Sequence, residues 1–131
     1  MRAGIVIFGS GLVALLSLGG CGGHGSGAAA GPAVSAADQA EADQIFSTRC
    51  TTCHGPSGRG DGPASAGLTP RPRNFADQAW QTSVTDEHLV QIIQYGGSAV
   101  HLSPAMPPNP DLQAKPGVVN GLVHKVRTLG Q

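Results

Sequence analysis

The chain has 131 residues, eight basic and eight acidic, and a formal net charge of zero. That length admits one domain and no more, and the neutral balance gives no electrostatic footing for a nucleic-acid partner. Hydrophobic residues make up 40% of the chain but aromatics only 4%.

Much of the apolar content lies in the first twenty residues. MRAGIVIFGSGLVALLSLGG sets Arg2 ahead of an apolar run that ends in small residues, the pattern of an export signal. The run is broken by Gly9, Ser10 and Gly11 and is short for a bilayer span. Its end, Leu18-Gly19-Gly20-Cys21, resembles the lipobox of bacterial lipoproteins. The resemblance implies that residues 1–20 are removed and that Cys21 is acylated as the new first residue. The protein is then exported and lipid-anchored to a bacterial membrane, facing the periplasm. Gly22, where an aspartate would retain the protein at the inner membrane, favours the outer membrane if the host has one. An odd number of cysteines in an exported chain raises the question of a leftover thiol. If Cys21 carries lipid and Cys50 and Cys53 act together, none of the three is left over.

Residues 22–37, GGHGSGAAAGPAVSAA, have almost nothing to bury and read as a flexible tether with a root-mean-square span of about 20–25 Å. His24 within it is a solvated residue. The lipid-bearing Cys21 and the tether therefore occupy 21–37, and the folded domain is 38–131. Three stretches in that domain predict helices. Over 37–49, Ala42, Ile45 and Phe46 share one face, with Asp38, Glu41 and Asp43 near the start, where acids suit a helix N-terminus. Over 85–95, Thr85 is the N-cap, Leu89, Ile92 and Ile93 form the apolar stripe, and Gly96-Gly97 ends it. Over 116–129, Pro116 opens a helix whose apolar positions run from Val118 to Leu129. Gly121 inside it costs about 1 kcal/mol relative to alanine and points to close packing against another element. The stretches 55–80 and 97–115 are rich in Gly and Pro and lack period-two alternation, so the class is all-α with long loops. Four aromatics, Phe46, Phe75, Trp80 and Tyr95, leave such a domain short of apolar filling.

CTTCHG at 50–55 packs two cysteines and a histidine into five positions. A zinc half-site, a redox dithiol and covalent haem attachment all use such a cluster. A thioredoxin-type dithiol wants a βαβ setting, and strands are missing. Structural zinc wants four ligands, and no second CxxC or HxxxH pair exists. C-x-x-C-H is the attachment pattern of c-type haem: two thiols bond one porphyrin edge, the adjacent imidazole reaches the iron, and the macrocycle supplies the missing interior.

With GRGDGP (58–63), LTPRPRNF (68–75) and LSPAMPP (102–108) following in that order, residues 38–131 resemble a class I, single-haem bacterial cytochrome c. The resemblance implies three or four helices wrapped around one covalent haem c, first and last crossing near one edge. VHKVRTL (123–129) departs from it, because Lys125 stands where the family often has an aromatic. Met106, the one methionine left after Met1 is removed with the signal, sits among Pro104, Pro107 and Pro108 in a stiff loop suited to presenting a weak ligand. The family carries its axial methionine in a similar segment, with His101 as the rival here. His88 reads as solvated and His124 as a surface residue. The resemblance also implies a proline carbonyl accepting the proximal imidazole's proton, from Pro63 or else Pro70 or Pro72. It implies an indole donor to a haem propionate from Trp80. Arg71 and Arg73 flank Pro72, placed either to offset propionate charge or to sit in solvent. His/Met ligation raises the reduction potential and suits electron transfer. The expected role is a membrane-tethered, non-enzymatic carrier of single electrons that meets respiratory redox proteins or membrane complexes by transient contact. A haem protein that binds ligands or handles peroxide, with a labile Met106, is the alternative.

Overall fold

The computed structural model describes residues 33–131, with Met1 and Gly4. The rest of the expected export signal, Cys21 and the tether as far as residue 32 lie outside the described residues. Among those described there are five α-helices and no strand: α1 Ala36–Ile45, α2 Thr51–His54, α3 Gln78–Ser83, α4 Asp86–Tyr95 and α5 Pro116–Thr128. A π-helical stretch, Phe46–Cys50, joins α1 to α2 without a break, so residues 36–54 form one rod and the domain has four helical bodies. This is the expected all-α architecture.

The rod begins two residues inside the segment read as tether. Ser35 accepts the Asp38 N–H at 3.1 Å and donates its own hydroxyl hydrogen to the Asp38 carboxylate at 2.6 Å, an N-cap that the sequence permits as soon as apolar periodicity sets in. In the π stretch the Thr51 N–H reaches back five residues to the Phe46 carbonyl. The wider turn shifts the register of the residues on its C-terminal side. Ala42, Ile45 and Phe46 point into the core, whereas Cys50, Cys53 and His54 beyond them line a cavity.

α4 starts and stops at its sequence signals, with the Thr85 hydroxyl accepting from the His88 N–H at 3.2 Å and Gly96 turning at φ 77°. α3 falls in a stretch read as loop. Its signal is Asp77, whose carboxylate accepts the Trp80 N–H at 3.1 Å and caps a helix too short to show a periodic stripe. α5 buries Val118, Val119, Leu122, Val123 and Val126, chiefly against α1 and to a lesser extent against α4. A Cβ at Gly121 would lie 2.8 Å from the Ala42 Cβ, so the missing side chain is what lets α5 cross α1 so closely. At the same crossing Lys125 Nζ sits 5.8 Å from the Phe46 ring centroid and 3.1 Å from the Asp43 carboxylate. A cation over a ring thus takes the place of a second aromatic.

Candidate cofactor site

The end of the rod presents Cys50, Cys53 and His54 to a largely apolar cavity of about 290 Å³. α4 contributes His88, Leu89, Ile92 and Ile93, the segment 68–75 contributes Leu68, Pro70 to Arg73 and Phe75, and the loop after α4 contributes Leu102, Ala105, Met106 and Pro107. Trp80 and Val126 complete the wall. Arg49, Arg71 and Arg73 are in the lining, and no carboxylate is.

Local backbone chemistry positions each group. Gly55, at φ 76°, ends α2 in a conformation that a Cβ would disfavour, and a side chain there would also collide with the Asp61 carboxylate. The chain then folds back so that the Gly60 and Gly62 N–H groups donate to the carbonyls of His54 and Cys53, at 2.8 and 3.1 Å. Those carbonyls would otherwise be orphans of the helix end. Cys50 and Cys53, one helical turn apart, are not joined in a disulfide. Burial pushes the Cys50 thiol up to about 11, against a smaller downward pull from the Arg49 charge.

His54 is set by the segment 73–75. Its Nδ1 lies 3.2 Å from the Arg73 carbonyl, and its ring stacks on Phe75 with centroids 4.5 Å apart and planes 17° apart. Burial lowers the imidazole pKa, and the bond to Arg73 opposes that in part. The neutral ring is the form that ligates a metal. The expectation that Pro63 supplies the acceptor is overturned. Pro63 is exposed, opens the short 3₁₀ turn Pro63–Ser65 and does not line the cavity. The glycine loop turns beneath α2 and packs against residues 72 and 73, which brings the Arg73 carbonyl to the ring instead. The Arg73 guanidinium lies 5.6 Å over the Trp80 ring and 3.9 Å from Asp77, so Arg73 meets residues of the lining through both its backbone and its side chain.

Met106 hangs in a loop fastened to the end of α4. The Gly97 N–H donates to the Met106 carbonyl at 3.0 Å, the Asn109 N–H to Gln94 at 3.0 Å, and the Asn109 side-chain Nδ2 to the Ile93 carbonyl at 2.7 Å. From Leu89 to Pro110 the chain has no Asp, Glu, Lys or Arg. His101, the rival, is exposed, left-handed at φ 60° and absent from the lining; His124 is exposed, 3.0 Å from Gln39. His88 differs from its solvated reading, being half-buried in the wall. Its spacing of four from Ile92 puts it on the same face as the apolar stripe, a signal the neighbouring acids masked. Among the described residues, no three His, Cys, Asp or Glu side chains converge as a metal cluster of their own.

The family model described as Cytochrome c matches residues 39–123. No curated protein matches the chain. The residues fit the group that this family binds. Two thiols one turn apart suit its two vinyl arms, an imidazole and a thioether line the same cavity, the walls are apolar, and the arginines of the lining suit its two acid arms, Arg49 and Arg73 being also paired with Asp111 and Asp77.

Proposed function

We propose, from the premise that this chain belongs to the cytochrome c family, that it is a membrane-tethered carrier of single electrons between respiratory redox proteins. The family's cofactor is covalent haem c, and Cys50 and Cys53 stand in its attachment positions. When bound, haem supplies one-electron exchange at iron. The observation that carries the axial assignment is that His54 and Met106, far apart in sequence, line one cavity.

The chain's own residues then divide the work. Cys50 and Cys53 would hold the haem covalently through their sulfur atoms. A hydrogen on His54 Nδ1, donated to the Arg73 carbonyl, leaves the Nε2 lone pair free, and that atom would hold the iron. Met106 offers a soft thioether, the pairing that raises the potential. Phe75, Leu89, Ile92 and Ile93, apolar residues of the cavity lining, would keep water from the haem, and Arg71, Arg73 and the Trp80 indole would offset and bind its acid arms. Cys21, acylated, and the tether hold the domain at the periplasmic side of a membrane, which raises its effective concentration near partners met through small, transient interfaces.

The test is the optical spectrum of the matured protein. A low-spin ferric spectrum with a sulfur-to-iron charge-transfer band, lost in Met106→Ala, is expected. A high-spin ferric spectrum with ready carbon monoxide binding in the unmodified protein would overturn the carrier reading in favour of ligand or peroxide chemistry. Cys21→Ser is expected to release the protein from the membrane fraction, and retention there would remove the lipid anchor.

A further inference from the structure

We infer, on the reading that His54 ligates the iron, that Gln81, oriented by Arg127, is a positioning residue for that ligand. It fixes the 73–75 segment against which the imidazole is set. His54 meets this segment twice, through the Arg73 carbonyl and the face of Phe75. The first contact sets the tautomer and the second sets the ring plane. Phe75 is in turn held at both ends of its backbone. Its N–H donates to the Gly58 carbonyl at 2.7 Å, and its carbonyl accepts from Gln81 Nε2 at 2.8 Å.

The Gln81 amide has no freedom left. Its second Nε2 hydrogen goes to the Val126 carbonyl of α5 at 3.0 Å, and its Oε1 accepts from Arg127 Nη1 at 2.9 Å. Arg127 is no ordinary surface cation, its side chain being only 26% exposed. Nη1 also donates to the Gln81 carbonyl at 2.7 Å, and Nη2 donates to the Val84 carbonyl at 2.7 Å and to Asp86 at 2.6 Å. Nε donates to the same Asp86 oxygen at 2.8 Å. The planar fork therefore locks α5 to α3 and to the α3–α4 link, and a fully satisfied, partly buried network of this kind is rigid. Gln81 passes that rigidity to Phe75, and Phe75 passes it to His54.

The consequence is electronic. A hydrogen bond from Nδ1 to a carbonyl raises the basicity of the ligating nitrogen and so favours the ferric state. At 3.2 Å the bond to Arg73 is at the long limit for N–H···O, so a small drift of the segment breaks it and raises the reduction potential.

The experiment compares Gln81→Leu with Gln78→Leu in the matured protein. Gln78 also ties α3 to the chain end, at the Gly130 carbonyl, but makes no hydrogen bond to residues 73–75. Both variants should lose stability. Only Gln81→Leu should raise the potential, shifting the ferrous-to-ferric ratio at fixed ambient potential by about three- to tenfold, the scale of one neutral hydrogen bond. Equal potentials in the two variants would overturn the positioning role while leaving the axial ligands standing. A high-spin unmodified protein would overturn both. Should Gln81→Leu fail to mature, side-chain amide exchange in the unmodified protein decides the matter. Gln81 Nε2 hydrogens that exchange more slowly than those of exposed Gln113 support the inference, and equal rates overturn it.

Discussion

The walls that carry His54 and Met106 are held by different means. The imidazole is gripped by a segment that is itself tied to the glycine loop, to α3 and to α5. The methionine loop is hung from a single helix end: its hydrogen bonds outside itself run to Ile93 and Gln94 in the last turn of α4 and to the Pro110–Leu112 turn. One wall includes a network with a partly buried guanidinium at its centre, and the other belongs to a span without formal charge. The difference teaches where rigidity is needed. An imidazole next to a covalent attachment point can be over-determined, whereas a distant thioether depends on a short run of backbone and on prolines that restrict it.

The largest effect should separate the two proposed ligands outright. His54→Ala is expected to lose the low-spin spectrum together with most of the yield of matured protein. Met106→Ala should keep covalent haem on a stained gel, lose the charge-transfer band and fall in potential. Equal yields for the two variants would break the comparison. Without iron, acid should act through His54. Burial lowers its folded pKa, while the unfolded chain protonates near 6.5. Its contribution to stability is therefore fully present above that pH and is lost as pH falls toward the folded pKa. Denaturant midpoints of the haem-free chain should drop across that window, and those of the matured protein, with Nε2 held by iron, should not.

Asn109→Ala probes the methionine loop alone. Losing the bond to the Ile93 carbonyl should cost about 1 kcal/mol. It should also lower the temperature at which the charge-transfer band fades by more than it lowers global unfolding. The smallest effect belongs to Arg49→Ala. Its ion pair with Asp111, at 2.9 Å, joins the rod to the turn just beyond the methionine loop. With both side chains about half exposed it should be worth roughly 0–1 kcal/mol, and added salt should erase the difference from the unmodified protein.

Much of the molecule was legible in its residues. Thr85 and Gly96 bound α4 where their chemistry demands, Pro116 opens α5, and Gly121 announced a close crossing that Ala42 supplies. CTTCHG was readable because haem attachment needs particular side-chain atoms, and Met106 stands on the wall of the same cavity. The features that escaped do not depend on residue type. A carbonyl acceptor has no sequence signature, so choosing Pro63 over Arg73 could rest only on resemblance. The π stretch at 46–50 depends on one hydrogen-bond register, and α3 is too short for periodicity to reveal. His88 was hidden by Asp86 and Glu87, whose solvation says nothing about a residue on the neighbouring face.

The rod from Ala36 to His54 has mechanical meaning. At about 1.5 Å per residue, its nineteen positions form a lever of roughly 28 Å, with the chain's leading segment joined at one end and the His54 imidazole at the other. No slack loop intervenes. Torque or tension applied at Ser35 therefore turns the cavity wall that carries Cys50, Cys53 and His54 along a single stiff shaft.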